Sequence, residues 1–426
     1  MPVCIALINT YELGRQPFGL AQPAAWLRDA GHRVDCLDLA VEPLEEERVS
    51  RADLIAVHLP MHTATRIAIE ILPRLRRAAP DAVLCAYGLY APVNEPLLRK
   101  NGIDCVFGGE VEPAIVSLAE RVARNRDRIQ REPVVNLEKI AFRPPDRSGL
   151  PPLGEYASLV CPDGSSRTVG FTEATRGCKH VCRHCPVVPV YQGRFRVVPL
   201  EVVMSDIRAQ VDAGAEHISF GDPDFFNGPT HALRICRALH DEFPQLSYDA
   251  TIKIEHVLRY RSLFPELAAT GCLFVTTAAE SVDDEILARL DKGHTRADFF
   301  KAVRLLCEAG IGVAPTFVPF TPWTTVGGYV ELLESLIELK LVQSVPPVQL
   351  AIRLLVPRGS YLFRLPGFED LVGPFDEAAL GYPWTHEDPA VDELQRDVQG
   401  LVERVESAGQ SRRQAFESVY RLACAR

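Results

Sequence analysis

Short apolar runs of strand length alternate with amphipathic helical patterns along most of this chain, and that alternation restricts its fold more than any other feature. Val3–Asn9, Val34–Leu39, Leu54–Leu59, Ala82–Tyr87 and Asp104–Phe107 read as strands, with helical patterns over Ala21–Ala30, Ala64–Ala78 and Pro113–Arg124. Parallel strands need crossovers of about helix length, so the first part predicts a doubly wound parallel sheet covered by helices on both faces. The alternation resumes at Thr168–Glu173, His217–Phe220, Ser247–Ile254, Leu273–Ala278, Gly312–Val318 and Val348–Leu355. Helical patterns lie between these runs at Glu201–Ala213, His231–Glu242, Ala297–Ala309 and Tyr329–Leu339. Six such βα units fall short of the eight of a closed barrel, which predicts a partial (β/α)6 barrel.

The expected class is therefore α/β: an N-terminal Rossmann-like doubly wound parallel sheet, then the partial barrel, then a C-terminal helical segment. At 426 residues the chain exceeds what one core usually serves. The expected division is residues 1–125 for the first sheet, a linker at 126–166, the barrel at 167–365 and a helical extension at 366–426. The linker holds Arg143–Pro152, whose prolines suit neither a helix nor a central strand. The extension carries a charged helix or helix pair over Asp388–Ala423.

Charge narrows the partners. The 46 Lys and Arg against 56 Asp and Glu give a net charge of −10 with no long basic block, which disfavours a nucleic-acid substrate. No uncharged stretch has membrane-span length, and Met1–Tyr11 reads as a buried strand rather than a signal peptide. A cytoplasmic protein is the expectation, with a small molecule favoured over nucleic acid as its partner. In a reducing compartment its 12 cysteines do not form a disulfide framework. Cys4, Cys36, Cys85, Cys105, Cys272 and Cys307 sit alone in apolar runs and read as small buried hydrophobes.

Three cysteines differ. Cys178, Cys182 and Cys185 stand in a C-x3-C-x2-C spacing directly after the first barrel strand. Gly177 frees the loop backbone and Pro186 ends it, so three thiolates can converge on one soft metal centre. Three thiolates on a four-iron cluster leave one iron open. The residues alone also allow a structural zinc site with His180 or His184 as fourth ligand. A ferredoxin-like electron carrier is a third reading, with Cys161 or Cys236 completing the set.

This spacing after the first strand of a six-unit βα barrel resembles the radical S-adenosylmethionine (SAM) superfamily. The resemblance implies a 4Fe-4S cluster on Cys178, Cys182 and Cys185, with SAM chelating the open iron. His184 stands where the family has an aromatic residue whose backbone touches adenine. Gly221 and Asp222, within Ser219–Asp224, fall where the family binds the SAM amino group. Ala279-Glu280-Ser281 followed by Lys292-Gly293-His294-Thr295 resembles a further family segment, with Glu280 toward the ribose or methionyl part of SAM. Arg353 is a candidate SAM or substrate contact that could hold a carboxylate or phosphate, and Lys253, Glu255, His256, Thr321 and Trp323 are strand-end candidates for substrate contact.

A doubly wound domain before such a barrel resembles the cobalamin-binding class of that superfamily, and Gly109-Glu110-Val111-Glu112-Pro113 is similar to the close of its first domain. Candidate cobalamin contacts are Thr10, Tyr11, Pro60, Gly88, Gly109 and Glu110 at strand ends. The D-x-H-x-x-G motif that gives cobalt a histidine is absent: Asp38 is followed by Leu39, Ala40 and Val41. His58 and His62 lie near the same edge, where hydrogen-bonded histidines are the better reading. More narrowly the chain resembles radical SAM proteins named for a CUAEP or CCAEP tail, through Thr10–Gly14, Pro17–Leu20, Pro60–Thr65, Pro315–Thr325 and Ile352–Leu355. It departs at the tail itself, which ends Cys424-Ala425-Arg426 with one cysteine. The reaction implied is reductive SAM cleavage with cobalamin-dependent methyl transfer, fed by a flavodoxin or ferredoxin. The rival within the superfamily works without cobalamin, by aminocarboxypropyl transfer or hydrogen abstraction. The rivals outside it are a zinc-binding protein and an iron–sulfur electron carrier.

Overall fold

The computed structural model describes residues 2–124, 134–161 and 163–426, so linker positions 126–133 and 162 lie outside the described residues. The chain divides into two compact units, residues 1–179 with 189–221, and residues 180–188 with 222–426.

The first unit opens with a sheet of strands β1 (Cys4–Asn9), β2 (Arg33–Asp38), β3 (Leu54–His58), β4 (Val83–Tyr87), β5 (Cys105–Gly109) and β6 (Val135–Asn136). They lie in the order β2-β1-β3-β4-β5-β6, each paired parallel to its neighbour. β3 and β4 are buried along their whole length. Their side chains divide between two apolar clusters, one on each face, as a sheet covered on both sides requires. Helices Phe18–Asp29 and Glu112–Arg124 contribute to one cluster and helix His62–Ala78 to the other. The chain order reverses between β1 and β3, and such a switch point opens a crevice at the carboxyl ends of those strands.

The same unit continues with β7 (Ser158–Val160), antiparallel to β8 (Ser166–Thr172). A short pair, β9 (Thr175–Gly177) with β10 (Phe195–Val197), follows, then helix Leu200–Asp212 and β11 (His217–Phe220), parallel to β8. Arg147, from the proline-rich linker, is tied here by Asp206 at 2.8 Å and the Phe171 carbonyl at 2.6 Å. The linker is thus neither helix nor sheet, yet its arginine is bound within the unit.

In the second unit β12 (Ser247–Thr251), β13 (Cys272–Glu280) and β14 (Gly312–Phe317) pair in parallel, with helices between them. The capping box of Thr295 and Asp298 starts helix Arg296–Glu308, and Thr325 caps Val326–Glu338. The sixth predicted strand, Val348–Leu355, does not form. Pro346 and Pro347 lead into a 3₁₀ turn at Pro347–Leu350, and only a single bridge from Arg353 to Phe320 remains. Prolines lack the N–H a central strand needs, so the run closes as a turn. The charged C-terminal pattern is a helix pair, Pro389–Ser407 and Arg412–Cys424. No helix among the described residues is long and apolar enough to cross a membrane. Of the six cysteines expected in the interior, Cys36, Cys85, Cys105 and Cys272 are buried. Cys4 is half-buried at a strand start, and Cys307 is exposed on the outer face of its helix.

Candidate cofactor site

The cysteine loop begins at Gly177, whose φ is +73° and whose added Cβ would lie 2.5 Å from the Arg194 carbonyl oxygen. Only glycine fits there. Cys178 is half-buried, Cys182 buried and Cys185 half-buried. Within the second unit the loop turns tightly, the Cys185 amide donating to the Cys182 carbonyl at 3.1 Å. Burial pushes the Cys185 thiol up to about 11, so an electropositive metal rather than the protein is what would hold it as thiolate. Arg183 fixes the loop from behind. Its amide donates to the Leu290 carbonyl at 3.0 Å and its guanidinium to the carbonyls of Ala288 and Arg289. These are end carbonyls of helix Asp284–Leu290, which a cation satisfies and stabilises.

β13 delivers Glu280 into the same unit. The pairing with β14 shifts between Ala278 and Glu280, and Glu280 has φ +65°, a left-handed backbone that a non-glycine residue rarely adopts. Its Oε1 lies 3.1 Å from His184 Nε2 and 3.3 Å from Lys292 Nζ. Burial would raise this carboxyl, but Lys292 and then His184 outweigh it and hold it at about 2. Lys292 is in turn kept charged by Glu280 against its own burial. The result is a permanently ionised carboxylate beside the cysteine loop. His294 is driven the other way, down to about 4, first by burial and then by the Lys292 charge.

A second cluster in this unit gathers residues from the cysteine loop, the segment after β11 and the segment after β12. His180 Nε2 lies 3.4 Å from Asp224 Oδ2, and His256 Nδ1 lies 2.6 Å from the same oxygen. Lys253 Nζ reaches His180 Nδ1 at 3.2 Å and Glu255 at 3.3 Å. Of the expected substrate contacts, Lys253, Glu255 and His256 therefore meet here. Thr321 and Trp323 do not join them. Thr321 spends its hydroxyl on Thr324 at 2.9 Å, and Trp323 packs 6.0 Å from Phe368. Arg353 stacks 3.5 Å over Trp384 and pairs with Asp392 at 2.6 Å. Sequence reasoning missed Asp224 and the partnership of Lys292 with Glu280; the Lys292–Thr295 string was the signal for the latter.

In the first unit, Gly221 ends β11 with no room for a side chain, an added Cβ lying 2.0 Å from the Phe171 ring. Asp222 begins the other unit and is buried. The carboxyl ends of the strands of the first sheet carry small or occupied groups. Thr10 donates its hydroxyl to the Ala64 carbonyl at 2.8 Å. Gly88 and Gly109 have φ of +109° and +74°, and a Cβ would meet the Leu59 and Asn136 carbonyl oxygens at 2.8 and 2.1 Å. Glu110 is buried against Arg176 at 3.2 Å, with Glu112 at 2.7 Å and Glu173 at 3.3 Å on the same guanidinium. Tyr11 and Pro60 are half-buried at the strand ends. After β2, Asp38 is held by Asn9 and by the Tyr156 hydroxyl, each at 2.9 Å, and Ala40 stands where a cobalt-binding histidine would. His58 is pushed down to about 3 by burial, packs 5.2 Å from Tyr87 and lies 3.8 Å from Glu12. His62 lies edge-on to Tyr90 at 6.5 Å.

Comparison with known proteins agrees with this reading. The B12 binding domain family matches residues 5–119 and the radical SAM superfamily matches residues 172–338. The chain thus carries a B12-binding domain followed by a radical SAM domain. Among curated proteins, the hopanoid C-3 methylase of Methylococcus capsulatus is 26% identical over 326 residues, covering 72% of this chain and 62% of that protein. A tRNA-2-methylthio-N(6)-dimethylallyladenosine synthase of Desulfosudis oleivorans is 25% identical over 317 residues, covering 72% and 63%. The chain spans less than two thirds of either relative. Among solved structures, the cobalamin-dependent SAM radical enzyme OxsB with aqua-cobalamin bound matches 95% of this chain and 67% of its own, with TM-score 0.70 and 14% identity. The radical SAM methyltransferase TsrM of Kitasatospora setae, with cobalamin and a [4Fe-4S] cluster bound, matches 80% and 71%, with TM-score 0.62 and 17% identity. These likenesses show a shared fold. The two domains imply a 4Fe-4S cluster, SAM and cobalamin as cofactors. The structure fits them in its donor sets: cysteine thiols on a glycine-opened loop, an ionised Glu280 beside it, and glycines at the carboxyl ends of β4 and β5 on the ligand edge of the first sheet.

Proposed function

We propose that this chain is a cobalamin-dependent radical SAM methyltransferase acting on a small molecule. The observation that carries the reading is the pairing in one chain of a B12-binding domain at 5–119 with a radical SAM domain at 172–338. When bound, the cluster, SAM and cobalamin supply one-electron sulfonium cleavage and a transferable methyl group.

The chain's own residues would divide the work as follows. Cys178, Cys182 and Cys185 hold the cluster. Glu280, its Oε1 engaged by Lys292 and His184, presents Oε2 to the ribose or methionyl part of SAM. His184 offers backbone to adenine, and Gly221 and Asp222 receive the amino group. Arg353 reaches a carboxylate only if its pair with Asp392 opens. Thr10, Tyr11, Pro60, Gly88, Gly109 and Glu110 bound the cobalamin crevice. Thr10 and Glu110 do so through backbone, since their side chains are spent internally. Cobalt would receive no histidine from the loop after β2. A flavodoxin or ferredoxin supplies the electron, and the net charge of −10 favours a small molecule over nucleic acid.

The test uses protein purified and reconstituted without oxygen. About four irons and one cobalt per chain, with a reduced EPR signal that shifts on adding SAM, are expected. SAM labelled with a deuterated methyl group should pass its label to cobalamin. Iron without cobalt, with SAM still cleaved, would leave a radical SAM enzyme of another reaction type. Zinc in place of iron would remove the reading.

A further inference from the structure

The first cluster of the second unit, Glu280 with His184 and Lys292, is accounted for by SAM. The second, around Asp224, is not, and its geometry differs from that of an ordinary ion pair. Asp224 Oδ1 is the engaged oxygen: it accepts from the amides of Phe226 at 3.3 Å and Lys253 at 3.4 Å. This fixes the carboxylate plane and leaves Oδ2 directed at two imidazoles. His180 Nε2 and His256 Nδ1 both lie within ion-pair distance of Oδ2, yet none of the three atoms makes a hydrogen bond of acceptable angle, and all three are buried. Asp224 and His256 are almost fully enclosed, at 2% and 0% exposure. Three donor atoms that converge within 4.8 Å with their hydrogen-bonding capacity unspent are arranged as ligands are.

We propose that His180, Asp224 and His256 form a mononuclear site for a divalent first-row transition metal, separate from the iron–sulfur cluster. Two imidazoles and one carboxylate suit zinc or ferrous iron, with positions left open for further ligands. The 3.4 Å between His180 Nε2 and Asp224 Oδ2 is close to the edge of a tetrahedron with bonds of about 2.1 Å. The 2.6 Å edge to His256 has to open by about 0.8 Å on loading to reach the same tetrahedral edge. The two amides on Oδ1 supply the outer support that orients a ligating carboxylate. Lys253, whose ammonium donates to His180 Nδ1 at 3.2 Å, opposes a second cation and has to turn away when a metal-bound His180 carries its proton on Nδ1; Glu255, 3.3 Å from that ammonium and 4.0 Å from Nδ1, offsets the charge and is the acceptor within reach. The open side of the ion is where a substrate oxygen or nitrogen would enter.

The site is testable without turnover. The cluster-loaded protein is dialysed against zinc and its metal content measured, with iron and sulfide read in the same samples. One zinc per chain beyond the cluster is expected, with an X-ray absorption first shell of nitrogen and oxygen only, at about 2.0–2.1 Å. Sulfur at about 2.3 Å would place the zinc on cysteines and overturn the proposal, as would no zinc above background. Asp224→Asn and His256→Gln should each weaken zinc binding tenfold or more while iron stays at about four per chain. Unchanged zinc binding in both overturns the assignment. If either variant loses its cluster, the wild-type absorption spectrum, which carries outer-shell imidazole scattering only if histidines are ligands, decides alone. Loss of methyl transfer with an intact zinc site, or the reverse, separates this proposal from the reaction proposed above.

Discussion

At the scale of single residues, the electrostatics around Glu280 set how SAM would be held. The Lys292–Thr295 string was legible in the sequence as a motif, but its use was not. Lys292 reaches Glu280 because β13 slips register and Glu280 turns left-handed, which no periodicity reveals. Replacing Lys292 with Met should leave the cluster's iron in place and weaken SAM binding about 10- to 100-fold, the range for losing a charged hydrogen-bond partner in a buried site. Anaerobic equilibrium dialysis measures this; unchanged affinity would mean Glu280 does not face SAM. Glu12 makes the opposite case. Burial, with Glu173 adding to it, lifts this carboxyl from its ordinary 4.5 to about 8. The folded chain then keeps a proton that the unfolded chain releases near 4.5, so stability falls as pH rises from about 4.5 to about 8. Glu12→Gln removes that penalty. Its melting temperature should match the wild type near pH 4.5 and exceed it by several degrees at pH 8, at roughly 2–4 °C per kcal/mol for a unit of this size. A gap that does not change with pH would show that Glu12 is ionised in the fold.

At the scale of elements, the sequence was most readable where period and punctuation agree. The strand predicted at His217–Phe220 forms over those residues, which are buried throughout and lie between Gly214 and Gly221. The strand predicted at Val348–Leu355 failed because apolar composition alone favoured it while the two prolines just before it, at 346 and 347, start a 3₁₀ turn that takes in its first residues. The carboxyl ends of the strands were legible as the ligand edge, but which residues there are free was not. Glu110 reads as an exposed strand-end acid and is instead buried against Arg176, a partner 66 positions away. Strand ends also separate two kinds of glycine. Gly31 and Gly109 both have positive φ, +83° and +74°, but an added Cβ at Gly31 meets nothing within 4 Å, whereas at Gly109 it meets the Asn136 carbonyl oxygen at 2.1 Å. Gly31→Ala should cost about 1 kcal/mol from backbone strain alone. Gly109→Ala should cost about 2 kcal/mol more, since β6 must move away from β5. Urea midpoints of the two variants compare them directly, and equal losses would mean that β6 yields freely.

At the scale of the whole molecule, the first sheet and the second unit each carry apolar clusters of their own. Both clusters flanking the first sheet are drawn from residues within the first 150, while the cluster of Ile286, Leu290, Leu354, Val356, Leu362, Phe368 and Trp384 belongs wholly to the second unit. The proline-rich interruption between the two βα runs does not mark this division: it lies inside the first unit, which also takes β8 and, through β11 pairing with β8 and β10 pairing with β9, residues 189–221. Independent cores predict independent loading. Cys182→Ala removes a proposed cluster ligand from a loop that contributes nothing to the sheet of β1–β6. Iron should fall to a small fraction of the wild-type content, while cobalamin is retained at about one per chain with its dissociation constant changed by less than about twofold, since no interaction worth even 1 kcal/mol is removed from the crevice. Absorbance of bound cobalamin after gel filtration measures the one and iron analysis the other. Joint loss of iron and cobalamin would show that the crevice at β1 and β3 is completed by the cluster loop, and that the B12-binding unit does not hold its cofactor by its own residues.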